Sequence, residues 1–268
     1  MLRRQDDNYD RQLRELNAPG IQSDLPLVHV TSAWSGKEIV RLTKIKTSFC
    51  NVFKTELLYF FVLRPAYCLR NGEEPSHYID YFPAAFVVKS QAVQRPRHIF
   101  PFDTGAAWEG HYASQANLKV PLDDYELAPE HSAAAGFIGW AFRNLRRYYE
   151  GRLRPDIADG LKVTDSVAHS YIAVARLGLD GDRHHDKRAS TLEVASSHNV
   201  DLLENCPLII FPKAYLEDKR LKPYFDKLWQ HGSQLEPYDW DPSRTPNEFQ
   251  KDMMQICRRW YLRHGLDL

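Results

Sequence analysis

Few side chains in this sequence have surroundings suited to chemistry, and Glu193 is the foremost of them. It stands in residues 187–195 (KRASTLEVA), with small and apolar neighbours. Strand alternation would send Leu192 and Val194 to one face, Thr191 and Glu193 to the other. A carboxylate at mid-strand is costly to bury unless it is paired or used. The alternative is a half-exposed strand with glutamate on its solvent side. His29 lies in an apolar run, residues 25–31 (LPLVHVT), as a satisfied core histidine or a ligand-binding one. A second apolar run, rich in aromatics, ends at Arg64-Pro65, where the guanidinium either caps the sheet through carbonyls or meets a ligand. His184-His185-Asp186 offers metal donors without a third ligand or helical spacing, so no metal site is expected. GxGxxG, GxxxxGK[ST], HExxH and GxSxG are all absent, which removes the usual support for dinucleotide-fold, P-loop, zincin and α/β-hydrolase readings.

The elements that must position these residues follow from pattern. Residues 25–31, 44–53, 57–63 and 84–89 read as strands, the third buried on both faces and stopped by Pro65. Ser35 is the expected cap of a short helix through Leu42. Asn71-Gly72 is a turn pair. A short strand near residue 97 runs into a loop with an exposed Asp103. Residues 131–150 read as one helix, with Phe137, Trp140, Ala141, Leu145 and Tyr148 on one side and Arg143, Arg146 and Arg147 on the other. With Arg152 and Arg154 these arginines are a solvated face or a phosphate-binding patch. Residues 163–177 fit helix or strand. Residues 187–195 and 208–211 return to strand, and residues 214–230 and 247–264 read as helices. Strands spaced this irregularly do not repeat βα units, so the expectation is an α/β chain of α+β type and not a doubly wound sheet.

Bulk properties bound the partners. The 268 residues, 43% hydrophobic and 12% aromatic, suit one large domain or one domain with an added lobe. With 35 basic and 35 acidic residues, the chain is not expected to coat nucleic acid or an anionic membrane over a whole face, though a local basic site is compatible. Four cysteines without a CxxC pair suggest reduced thiols in a cytoplasm. No signal-like or membrane-spanning run occurs, so a soluble cytoplasmic protein without a membrane partner is expected. The organisation expected is an N-terminal arm (1–24) outside the main fold, a main domain (25–215) and a C-terminal helical extension (216–268) packed on it.

The order HVT, LLYFFVLRPAY, FPFDTGA and KRASTLEV resembles the ADP-ribosyltransferase fold, and is most similar to DarT-type enzymes that modify DNA. In these a His-x-Thr strand opens the domain, a PFYFxxRSPM-like segment follows, and a late strand carries the catalytic glutamate. The resemblance spans roughly residues 25–215. It implies a split mixed sheet around an NAD cleft with flanking helices, and NAD as a substrate. It also implies roles. Glu193 would stabilise the oxocarbenium-like state of N-glycosidic cleavage and bind a ribose hydroxyl. His29, with Thr31 beside it, would hydrogen-bond the adenosine-side ribose or the nicotinamide amide. Tyr59 or Tyr67 would stack on nicotinamide. Arg64 would pair with a pyrophosphate oxygen or a nucleic-acid phosphate.

The sequence departs from the family pattern too. Thr191 stands where arginine-specific transferases carry an acidic residue, which argues against arginine as acceptor. Arg188 corresponds to the arginine of a Gln-Arg-Gln-Ala-Glu segment, at longer spacing from the glutamate. The function expected from the resemblance is transfer of ADP-ribose from NAD to a macromolecule, DNA or RNA before protein. That would suit a toxin or antiviral (anti-phage) defence protein, with an antitoxin or defence partner. The alternatives are an NAD glycohydrolase of the same fold and a non-catalytic nucleotide or nucleic-acid binding module.

Overall fold

A computed structural model describes residues 1–3, 10–69, 72–179 and 186–268. His184, His185 and Asn71 lie outside the described residues. The strands are β1 (Leu27–Ser32), β2 (Lys44–Ile45), β3 (Ser48–Cys50), β4 (Thr55–Val62), β5 (Pro83–Val88), β6 (His98–Phe100), β7 (Glu193–Ser196), β8 (Val200–Asp201), β9 (Leu208–Pro212) and β10 (Gln234–Tyr238). The helices are α1 (Gln12–Glu15), α2 (Ala33–Leu42), α3 (Thr104–Trp108), α4 (His131–Phe142), α5 (Leu145–Glu150), α6 (Ser166–Ala175), α7 (Leu202–Asn205), α8 (Lys213–Leu216), α9 (Lys222–Gln230) and α10 (Gln250–Arg263).

The main sheet runs β10-β9-β5-β1-β4-β7-β6, with β3 added on β4 and β2 paired separately with β8. Its neighbours are antiparallel except β9 and β10, so the fold is mixed α+β, as expected from irregular strand spacing. All six residues of β5 are buried, as a strand covered on both faces requires. β1 follows β5 through six register pairs but β4 through only two, Leu27↔Val62 and Val28↔Phe61. Beyond Val28 the two central strands part. Tyr59 and Phe61, half-buried on β4, show that this strand is not covered on both faces along its length.

Several boundaries differ from the sequence expectation. α2 starts two residues earlier than Ser35, because the Ser32 side chain accepts the Ser35 N–H. The single helix expected over 131–150 is two, broken where Arg143 takes φ 73° and Asn144 caps α5 by accepting from Arg147 N. The helix expected over 214–230 is likewise two, α8 and α9. Residues 163–177 resolve as helix, with α6 at their centre.

The expected domain borders also shift. Leu13 is buried, Arg14 pairs with Glu126 at 3.1 Å and Ala18 N–H bonds the Gly136 carbonyl, so residues 10–18 are docked on the body. The C-terminal segment is no helical add-on, because β10 completes the sheet edge in parallel with β9. Among the described residues no helix is long and apolar enough to cross a membrane.

Candidate active site

Register decides which candidate residues can meet. Phe61 lies opposite Glu193 on β7, and Phe100 of β6 lies opposite Glu193 from the other side. Directly opposed residues of antiparallel strands share a face, so Glu193, Phe61, Phe100 and Val28 face one way. Tyr59, two residues along β4, joins them. Its hydroxyl donates to Cys50 Sγ at 2.8 Å, and burial, with the Glu193 carboxyl next in weight, pushes its pKa up.

Glu193 is 5% exposed. Thr104 Oγ1 donates to its Oε1 at 2.6 Å, and Thr104 N–H reaches Oε2 at 3.4 Å. These donors come from the first turn of α3, whose cap is Asp103: its Oδ1 accepts from Ala106 N at 2.8 Å. The loop expected after β6 is therefore a short capped helix, and Asp103 is turned inward rather than exposed. Its other oxygen lies 3.6 Å from Arg188 Nη1. Arg188 in turn grips Asp186 through Nε and Nη2, at 3.0 and 2.8 Å. One guanidinium thus serves two of the three carboxyls, Asp186 and Asp103, and Glu193 is held by Thr104 instead.

The electrostatics follow from that count. Burial, then the neighbouring Asp103 carboxyl, holds the Glu193 pKa well above the carboxylate range, against the opposing Thr104 hydrogen bonds. Burial also raises Asp103, against the pull of Arg188. Burial works against the Arg188 charge, yet the hydrogen-bonded Asp186 carboxylate and Asp103 drive its pKa up overall. The inner pair, Asp103 and Glu193, is therefore biased toward holding a proton, while Arg188 and Asp186 form the ion pair. Tyr112 packs edge-on against Phe102 at 5.7 Å, fully buried beside this cluster. Its hydroxyl has no hydrogen-bond partner among the described residues.

Other expected site residues are placed elsewhere. His29 pairs in register with Phe86, which puts it and Thr31 on the face opposite Glu193. The ring stands at the parting of β1 and β4, its Nδ1 2.9 Å from the Tyr59 carbonyl. Burial lowers its pKa, and the neutral imidazole donates this bond. Tyr67 is buried and gives its hydroxyl to the Pro246 carbonyl at 3.0 Å, which ties it to the segment leading into α10.

Arg64 is fully buried and donates from Nη1 to Ser190 O at 2.6 Å and Ser190 Oγ at 3.0 Å, with the Tyr148 ring beneath it. It braces the segment leading into β7 from inside. Two glycines make room there: a Cβ at Gly178 would stand 2.2 Å from Ser190 Oγ, and one at Gly151 3.3 Å from Arg64 Nη2. Leu63 turns the chain toward Arg64 at φ 58°, with Arg64 N–H bonded to Val62 O at 2.6 Å. Such a conformation costs a non-glycine residue about 1–3 kcal/mol. Hydrogen bonds from Leu63 N to Pro26 O and from Tyr261 to Leu63 O hold it.

Of the residues singled out in the sequence, Glu193 and Tyr59 share one face, while Asp103, Thr104 and Asp186 join the cluster without having been singled out as partners. The signal for Asp103 was present in D-T-G-A, an Asx cap before small residues. Among the described residues no group of three or more His, Cys, Asp and Glu is placed to hold a metal. No protein-family model, curated protein or solved structure matches the chain.

Proposed function

We propose that the Glu193 cluster cleaves the N-glycosidic bond of NAD and passes ADP-ribose to a macromolecular acceptor, nucleic acid before protein. The observation that carries this reading is the buried Glu193 carboxyl beside Asp103. It is hydrogen-bonded by Thr104, on the face that bears Tyr59, next to the parting of β1 and β4. Cleavage develops positive charge on the ribose, and a preorganised carboxylate in a dry site stabilises it more than water would.

Before substrate enters, burial and the Asp103 carboxyl favour the neutral form of Glu193. The cationic nicotinamide-riboside end of NAD would shift the balance toward its ionised form. Thr104 fixes the carboxyl's orientation through that change. Tyr59 is the stacking candidate this arrangement retains. His29 would act from the other side of the strand parting, and Arg64 acts through Ser190 on the placement of β7. The macromolecular acceptor rests on the resemblance to DarT-type enzymes.

The test is incubation with adenine-labelled NAD, with and without DNA, RNA and cell lysate, for wild type and Glu193→Gln. The expected outcome is label on a macromolecule with the wild type, and a rate lower by about 10²–10³ in the variant. Free nicotinamide without transferred label would make water the acceptor. No NAD consumption under any of these conditions would end the enzymatic reading.

A further inference from the structure

Away from the carboxyl cluster, a cavity of about 300 Å³ lies between α5, the turn Lys187–Ser190 and α10. Four cationic side chains line it: Arg152, Lys187, Lys251 and Arg258. Among the described residues one acidic side chain, Glu150, joins them, 3.4 Å from Arg152. Among the described residues the lining is thus net positive by three charges, in a chain whose total is zero. Gln250 also lines the cavity, and its Nε2 is buried with no acceptor among the described residues. A buried amide donor lacking an acceptor is costly, and a small turn of this side chain would present it to an oxygen in the cavity.

The arginine patch expected from the sequence is not this site. Arg143 and Arg154 share Asp156 at 3.3 and 3.7 Å, and Arg147 donates to the Leu153 carbonyl. Arg152 alone of that group reaches the cavity, where residues distant in sequence supply the other charges. We propose that this cavity binds a phosphate group. Guanidinium forks, ammonium groups and an amide N–H are donors only, and together they suit an acceptor-rich anion with several oxygens. The inference stands apart from the reading of Glu193.

Phosphate could arrive on a free nucleotide or on a nucleic-acid strand, and the two separate by titration. The probes are pyrophosphate, AMP and a fluorescein-labelled single-stranded DNA or RNA 12-mer, in low-salt buffer. The proteins are the wild type, Arg152→Gln with Lys251→Gln, Glu150→Gln, and a control with Lys219→Gln and Lys227→Gln on the exposed surface around α9. Tight binding of pyrophosphate or AMP identifies a nucleotide-sized ligand. Binding of the 12-mer alone identifies a strand.

The cavity double variant should weaken the binding probe at least tenfold and flatten its salt dependence by up to two charges. Glu150→Gln should tighten it, and the control should leave it unchanged. No measurable binding of any probe, or an equal loss in the control, would overturn the proposal. Folding of each variant is checked by its thermal transition, and Glu150→Gln reads in the direction of gain, which misfolding cannot mimic.

Discussion

At the scale of single residues, burial decides what Glu193 is worth at each pH. Its folded-state pKa is held above the ordinary 4.5. Between those two values the folded chain keeps a proton that the unfolded chain has released, so stability falls as pH rises. Glu193→Gln keeps a side chain that can bond Thr104 and removes the titration. In urea unfolding, its stability advantage over the wild type should therefore grow from about pH 5 upward. The slope is at most about 1.4 kcal/mol per pH unit, levelling off at lower pH. A difference that does not change with pH would show that Glu193 ionises freely in the folded chain. Arg64 makes the opposite kind of case. Arg64→Met removes two hydrogen bonds from a cation to Ser190, and should destabilise by roughly 1.5–3 kcal/mol. Unaltered stability with a raised KM for NAD would return Arg64 to the role of a pyrophosphate ligand.

At the scale of elements, α3 shows how cap and site share one residue. Asp103 both caps the helix and raises the Glu193 pKa. Asn caps as well as Asp, whereas Ala costs about 0.5–2 kcal/mol. Asp103→Asn should thus keep the thermal midpoint near wild type while Asp103→Ala lowers it. Both should move the acidic limb of the pH profile for NAD cleavage to lower pH. If only Asp103→Ala moves that limb, the influence on Glu193 is positional and not electrostatic. The central strands were legible because they are continuous apolar runs: β4, β5 and β9 fall within a residue or two of their expected places. α3 was not, because a five-residue helix shows no periodicity, only its cap. The facing of His29 was hidden for a different reason. A strand's own alternation gives two faces without saying which of them a distant glutamate will share, and only the register Val28↔Phe61↔Glu193 settles it. Arg64 next to Pro65 reads alike whether it points at a ligand or at Ser190, since its partner lies 126 positions away.

At the scale of the whole molecule, tyrosine hydroxyls tie the C-terminal quarter to the sheet and its neighbours. Tyr238 donates to Pro83 O, Tyr261 to Leu63 O and Tyr149 to Met254 O, while Tyr67 reaches Pro246 O. With β10 in the sheet, the chain beyond residue 215 is part of one core, and a chain ended there should lack a cooperative thermal transition. The full chain should unfold in a single transition by both circular dichroism and tryptophan fluorescence. Two separated transitions would restore an independent C-terminal unit. Nothing in the sequence advertised β10: QLEPY contains a proline and two polar residues, and as an edge strand it tolerates both.

The turn Lys187–Ser190 holds three obligations within four residues. Lys187 lines the cationic cavity, Arg188 grips Asp186 and Asp103, and Ser190 accepts from the buried Arg64. All three rest on one turn of four residues. Whatever free energy an anion at Lys187 lends to the arrangement around Glu193, an occupant at Glu193 returns to the anion in equal measure, because linkage between two binding equilibria is reciprocal. The two proposed sites are built from residues a few positions apart, so whatever change of affinity one produces at the other is returned by the same factor.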